Sequence, residues 1–159
     1  MKTRLLALSI ALAAAAPAAA DELSVELHSF KLVETTDAAG ETQTVRQEPA
    51  GMLPGDRLLY RIELANAGEM PATDVALDLP VPAELIVDPD SFAGDVAFEV
   101  TFATQDAPDA LMAFDALRVP TEDGGTRPAT PDDLGAVRLE IAEIAPEAQA
   151  FVEYEATLR

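Results

Sequence analysis

The chain has 159 residues and a formal net charge of −19, with 29 acidic residues against 10 lysines and arginines. Such a charge repels phosphate backbones and anionic lipid head groups, so nucleic acid and membrane surfaces are poor partners and cations or basic proteins are favoured. Adaptation to salty surroundings is the alternative explanation of this composition. The chain contains no cysteine, which excludes disulfides and cysteine-linked lipids, so the stability of the fold must come from packing.

The first twenty residues have the three-part layout of a secretory signal peptide. A positive start, an apolar run too short to span a bilayer and small residues at the cleavage positions follow one another, namely Lys2 with Arg4, Leu5–Ala16, and Ala18 with Ala20. We therefore expect cleavage before Asp21, export to the periplasm or beyond, and no membrane insertion of the mature chain. Residues 21–159 are then a single domain, long enough to bury a core.

Apolar residues along the mature chain recur with a period of two, which predicts β-strands. Leu23, Val25 and Leu27 alternate with polar neighbours, and Phe30 and Leu32 continue on the opposite parity. This switch at residues 28–29 predicts a β-bulge or a strand that passes from one sheet to the other.

The clearest strand prediction falls on residues 57–64, directly after a turn at residues 54–56. Tyr60, Ile62 and Leu64 are predicted to be buried, with Arg61 and Glu63 on a wet outer face. A loop at residues 66–68 ends this strand. The next strand spans residues 75–79, and prolines 80 and 82 close it because they cannot donate to a β-ladder.

The second half repeats the alternation around a long insert at about residues 103–135. Alternating strands are predicted at residues 96–102, 137–141 and 152–158. The insert is rich in Pro, Asp and Gly, and we expect it to be irregular. It includes a capping-box signature at residues 130–133, which predicts a single helical turn.

Many short strands with proline and glycine punctuation favour an all-β fold. We expect an antiparallel β-sandwich of about seven to nine strands, because the prolines at strand ends argue against a closed barrel.

The turn residues of the first half resemble the bacterial Ig-like "conserved repeat" domain of surface proteins, known as domain of unknown function number eleven. The residues that carry this resemblance are Pro54-Gly55-Asp56, Tyr60 to Leu64, Asn66, Gly68, Ala72-Thr73-Asp74-Val75, Pro82 and Leu85. The chain departs from the family pattern at Leu79, where an acidic residue is common, and at Glu84, where a glycine often follows the proline. The resemblance implies that the antiparallel β-sandwich is Ig-like and lies outside the cytoplasm, with a structural or adhesive use and no catalytic residues.

Residues suited to chemistry are few. His28 is the sole histidine, and we interpret it as a strand-edge residue because no nucleophile or orienting acid can be placed beside it. Asp88, Asp90 and Asp95 gather carboxylates in one loop and are candidate calcium ligands, but they lack the spacing of an EF-hand. No catalytic residue, cofactor or established metal ligand is predicted.

The insert also carries a short apolar patch, and this is the candidate partner-binding segment. Its members are Leu111, Met112, Phe114 and Leu117. Four large apolar side chains are costly to leave in water. We therefore expect them to tuck against the sandwich, and the alternative is that they face a partner.

These features together predict an exported, non-catalytic module. Its role would be structural or protein-binding, with an unidentified protein partner in the bacterial envelope or at the cell surface. A calcium- or carbohydrate-binding accessory domain is the alternative function.

Overall fold

The computed structural model describes residues 11–12 and 22–159. The predicted signal peptide and its cleavage site lie outside the described residues, except for Ala11 and Leu12. The strands are β1 (Ala11–Leu12), β2 (Leu23–Thr36), β3 (Thr42–Gln47), β4 (Arg57–Asn66), β5 (Ala72–Pro80), β6 (Leu85–Val87), β7 (Ala93–Gly94), β8 (Phe98–Thr104), β9 (Ala107–Met112), β10 (Arg118–Pro120), β11 (Thr126–Pro128), β12 (Leu134–Ile144) and β13 (Gln149–Leu158). None of the helices in the described residues is long and apolar enough to cross a membrane.

The strands form an all-β fold of two antiparallel sheets, as expected for a β-sandwich. The first sheet has the order β1-β5-β12-β8-β9. The second has the order β3-β2-β4-β13-β6, with β7 paired to β13, and β10 and β11 form a separate hairpin. Every pairing described is antiparallel.

The order of the strands differs from that of an immunoglobulin domain. The last strand, β13, lies between β4 and β6 in the second sheet. In an immunoglobulin constant domain the last strand instead lies beside the sixth strand, in the sheet that also contains the third. If the two-residue β7 is set aside, the strands β4, β5, β6 and β8 alternate between the two sheets, as they do in a jelly roll. The likeness to immunoglobulin domains is therefore one of sandwich architecture and not of connectivity.

The core lies between the two sheets, and a chain of aromatic rings crosses it. Tyr60 stacks on Tyr154 with ring centroids 5.2 Å apart, and Tyr154 stacks on Phe92 at 5.0 Å. Phe92 meets Phe102 edge-on, and Phe102 meets Phe114 in the same way, both at 5.8 Å. Offset stacks and edge-to-face pairs at these distances are the favoured aromatic geometries, so the rings link the second sheet to the insert.

The alternation predicted for residues 57–64 is confirmed. Ile62 is completely buried and Leu64 is 1% exposed, whereas Glu63 is exposed and Arg61 is partly so. Tyr60 packs against the core while remaining partly exposed. The inward residues of β12 and β13 are buried in the same way, so the period-two pattern assigned faces correctly along these central strands.

The predicted irregularity at residues 28–29 is wrong. Strands β2 and β4 pair without a break from Leu23 opposite Asn66 to Leu32 opposite Arg57, so β2 has neither a bulge nor a change of sheet. Phe30 simply lies on the outer face, opposite Leu59. Leu59 is only 7% exposed, so apolar side chains are also buried on the outer face of the second sheet. The sequence prediction had assumed that each strand buries apolar side chains on one face only.

The insert is more regular than the sequence indicated. Strand β9 turns back from β8 and pairs with it, with Phe102 opposite Met112 and Thr104 opposite Ala107. The β10–β11 hairpin and the capping-box turn at Pro131–Asp133 follow, and this turn confirms the prediction for residues 130–133. Antiparallel pairing with β8 gives the mostly exposed segment Ala107–Met112 a partner that its composition alone did not reveal.

Candidate functional site

The turn at residues 54–56 holds the start of β4 through its aspartate. The Asp56 carboxylate accepts a hydrogen bond from Lys31 Nζ at 2.6 Å and another from the Leu53 N–H at 2.7 Å. These hydrogen bonds, that of Lys31 first, lower the pKa of Asp56. Gly55 adopts a φ of +91°, a conformation that glycine accepts without steric cost. This part of the family-like pattern is therefore a structural turn.

Asn66 joins two loops at one end of the sandwich. Its side chain is 4% exposed, and its amide nitrogen donates to the carbonyl oxygens of Met70 at 2.8 Å, Ile144 at 3.1 Å and Ala145 at 3.2 Å. Its carbonyl oxygen accepts from the Gly68 N–H at 3.0 Å. The Asn-x-Gly pattern thus satisfies backbone groups of the β4–β5 and β12–β13 loops, and its role is structural.

The apolar patch of the insert divides between the core and the surface. Leu117 is 3% exposed and belongs to the core, and Phe114 packs against the core through its contact with Phe102. Leu111 is partly buried, and Met112 is 38% exposed. Leu117 and Phe114 therefore lie where tucking against the sandwich would put them, and they are not offered to a partner as a free surface.

Matched substitutions at the two ends of this patch should give unequal results. We expect Phe114→Ser to lower the free energy of unfolding by roughly 2–4 kcal/mol, because it removes a ring from the aromatic chain. Met112→Ser should cost less than about 1 kcal/mol, since this side chain already meets water. Urea unfolding of residues 21–159 measures both values. Equal losses would show that the patch does not divide in this way.

The candidate calcium loop does not bring its carboxylates together around a site. The Asp88 carboxylate accepts from the Asp90 N–H at 3.0 Å, which makes a local turn. The Asp95 carboxylate accepts from the Phe151 N–H at 2.7 Å, which ties the loop to β13. In the part of the chain that the structure describes, no three Asp, Glu, His or Cys side chains form a group that could hold a metal ion.

His28 lies on the outer face of the second sheet, as a strand residue. Its Nε2 is 3.5 Å from a Glu26 carboxylate oxygen and 3.7 Å from a Glu63 oxygen. Both carboxylates are well exposed, and the described residues place no nucleophile against this imidazole in a hydrogen bond. A solvated charge cluster accounts for this geometry.

Every lysine and arginine side chain that the structure describes binds a carboxylate or a carbonyl oxygen of the protein itself. Between residues 22 and 159 the ion pairs are Lys31–Asp56, Arg46–Glu153, Arg57–Glu155, Arg61–Glu63, Arg61–Glu153, Arg127–Asp133, Arg138–Asp78 and Arg159–Asp132, and Arg118 donates to the carbonyl oxygens of Asp115 and Leu117. The charge that remains for an external partner is therefore negative.

Two of the paired carboxylates, those of Glu153 and Asp133, are largely shielded from water. Burial raises the pKa of Glu153, but hydrogen bonds from Arg61 and Arg46 outweigh it, so the pKa is lowered overall. Arg61 also stacks over the Phe151 ring, 3.7 Å from its centroid. The Arg127 guanidinium donates hydrogen bonds to both carboxylate oxygens of Asp133 at 2.7 Å. These hydrogen bonds hold the pKa of the Asp133 carboxyl far below its usual range. Such bidentate pairs are not available to a ligand.

The outer face of the first sheet is the candidate binding surface. Two shallow cavities, of about 550 and 350 Å³, lie on it. Their walls include four exposed carboxylates, Asp74, Glu99, Asp109 and Glu140, which form no ion pair with any described basic side chain. We call this surface, with these four carboxylates, the acidic face. Small residues such as Ala76 and Ala136 line the cavities.

Sequence reasoning did not find the acidic face. Its carboxylates come from three regions of the chain, β5, the β8–β9 hairpin and β12, which the fold places side by side. The only signal available beforehand was the polar residue at every second position of the predicted strands. Leu111 of the predicted partner-binding patch does lie at one of the cavities.

Comparisons with known proteins identify no relative of this chain: no family model, no curated protein and no solved structure matches it.

Proposed function

We propose that this protein is an exported, non-catalytic β-sandwich module that binds a basic protein of the bacterial envelope or cell surface through its acidic face. Its export and its kinship with the conserved-repeat family, in sandwich architecture though not in strand connectivity, are parts of this proposal. The observation that carries it is the imbalance of charge. Described basic groups are consumed internally, while Asp74, Glu99, Asp109 and Glu140 remain free on one face.

The placement of these carboxylates supports binding rather than folding. A carboxylate that stabilises the fold accepts hydrogen bonds from the protein, as Asp56 and Asp95 do. Glu99 and Glu140 are exposed on neighbouring strands, where β8 and β12 place them directly opposite each other. Like charges opposite each other in an antiparallel pair destabilise the sheet. A basic partner would relieve this repulsion and gain a faster association rate.

A capture experiment with matched charge variants tests the proposal. We expect immobilised residues 21–159 to capture basic envelope proteins in a salt-sensitive manner, and Glu99→Gln with Glu140→Gln to abolish most of that capture. The control variant, Glu34→Gln with Glu48→Gln, makes the same change of charge at exposed positions of the β2–β3 region and should capture normally.

Equal capture by the two double variants would contradict a specific role for the acidic face. A rise in the melting midpoint with calcium, absent with magnesium, would instead favour the alternative accessory function, since a ligand that binds only the folded state stabilises it by mass action.

A further inference from the structure

Strand β5 lies next to the end of the first sheet, where the described residues place only the two-residue strand β1 outside it. Along one of its two hydrogen-bonding edges β5 pairs with β12 from Ala72, opposite Ile144, to Pro80, opposite Ala136. Along its other edge, which we call the outer edge, the described residues contribute only β1, in which Ala11 lies opposite Asp78 and Leu12 opposite Leu77. Among the described residues, most backbone groups on this edge of β5 therefore have no β-partner.

This edge lacks most of the features that normally prevent a strand from pairing with another chain. Edge strands of natural proteins usually carry lysine, inward-pointing charges, prolines or β-bulges, or they are very short. Between Asp74, which has a φ of +53°, and Pro80, β5 has a regular stretch from Val75 to Leu79. Val75, Leu77 and Leu79 are at most 7% exposed, so this stretch forms part of the core wall.

Other edges are less suited to pairing. Strand β9 contains Pro108 and the exposed Asp109, and all but one of its residues are exposed. Strand β3 is polar apart from Val45, and its hairpin partner β2 extends beyond the end of β4. Strand β6 has only three residues. Among these edges β5 alone combines length, regularity and a buried apolar side.

The segment that covers β5 here belongs to the predicted signal peptide, so cleavage before Asp21 would remove it. We infer that in the mature protein the outer edge of β5, from Val75 to Leu79, binds an extended segment of a basic partner protein as an added antiparallel strand. This inference rests on the proposed function and specifies how the partner docks. Pairing of Ala11–Leu12 shows that the edge accepts an antiparallel strand.

The neighbourhood of β5 defines the chemistry of the docking segment. In the added strand, the residue opposite Leu77 points to the core, and the residues opposite Ala76 and Asp78 point to the outer face of the sheet, because side chains alternate along a strand. Asp78 is already neutralised by Arg138, with Oδ1–Nε and Oδ2–Nη2 distances of 2.6 and 3.0 Å. Asp74 and Glu140, in contrast, are free to pair. The segment should therefore alternate apolar and basic residues over roughly five positions.

Two synthetic peptides serve as probes for this edge. One is a nine-residue peptide of alternating valine and lysine, and the other replaces each lysine by glutamate. We expect the lysine peptide to bind residues 21–159 at least about tenfold more tightly than the glutamate peptide, as measured by fluorescence anisotropy. Hydrogen exchange should show new protection confined to β5, because the added strand covers its free amides.

Matched variants separate edge pairing from general charge attraction. Ala76→Lys places a lysine on β5 itself and should weaken binding of the lysine peptide by at least about tenfold. Ala142→Lys adds the same charge on the exposed face of the neighbouring strand β12 and should weaken it by less than about threefold. The uncleaved chain 1–159 should also bind the peptide more weakly than residues 21–159, since Ala11–Leu12 occupies the edge.

Several outcomes would overturn the inference. Equal effects of the two lysine variants, or protection of amides outside β5, would show that the peptide does not add to this edge. Dimerisation of residues 21–159 in sedimentation, with protection of β5, would assign the edge to a second copy. Failure of the peptide to bind while basic envelope proteins are still captured would reject the β5 edge and leave the proposed function standing.

Discussion

Replacing Asn66 by aspartate should destabilise the protein by roughly 3–5 kcal/mol at neutral pH, although the two side chains have almost the same shape. The asparagine amide nitrogen donates to three carbonyl oxygens, those of Met70, Ile144 and Ala145. A carboxylate at this position has no proton to donate and would place its charge against those oxygens in a site that is 4% exposed. Urea unfolding at pH 7 measures the loss.

The size of this effect should depend on pH in a defined direction. Burial and the facing carbonyl oxygens would raise the folded-state pKa of the new carboxyl, so the destabilisation is full above that pKa and shrinks as the pH falls and the carboxyl is protonated. Asn66→Ala should cost less, roughly 2–4 kcal/mol, with no such pH dependence. Glu69→Gln, at an exposed position in the same loop, is the control. Wild-type stability of the aspartate variant at pH 7 would contradict the joining role of Asn66.

Ile62→Ala should lower the free energy of unfolding by roughly 2–5 kcal/mol. Ile62 is completely buried in the middle of β4, between Leu27 on β2 and Val152 on β13, which is also completely buried. Truncation therefore removes apolar contacts on both sides and leaves a cavity at the centre of the second sheet. Because the whole sandwich depends on packing without disulfides, the loss should also lower the melting midpoint by several degrees.

The neighbouring residue supplies the control for this measurement. Glu63 is exposed and contacts Arg61 at 2.7 Å, an ion pair of the kind that contributes little at a surface. Glu63→Ala should therefore change the stability by no more than about 0.5 kcal/mol. Similar losses from the two substitutions would mean that the inward and outward faces of β4 have been assigned incorrectly.

Local features of the fold could be predicted from the sequence because they depend on neighbours in the chain. The inward face of β4 follows from the alternation of Tyr60, Ile62 and Leu64, since successive side chains of a strand point to opposite sides. The single turn at Pro131–Asp133 follows from its capping box. Both predictions concern fewer than a dozen consecutive residues.

The outer face of the second sheet marks where local reasoning ended. Phe30 and Leu32 changed the apparent parity of β2, and the sequence suggested a bulge. The pairing with β4 is in fact continuous, and Phe30 lies outside, opposite the buried Leu59. A period-two pattern assumes that only one face is covered, and it fails where both faces carry packed apolar side chains.

The sequence by itself determined that this chain forms an all-β fold of many strands and that its charge is strongly acidic. It also determined which side of the central strands is apolar. Only the tertiary structure decided the order of the strands, because a period-two pattern specifies a face and not a partner. That order places β13 between β4 and β6, gathers Asp74, Glu99, Asp109 and Glu140 on one face, and leaves β5 with only the two-residue β1 beside it at one end of its sheet. These features depend on contacts between residues far apart in the chain, which local propensity does not encode.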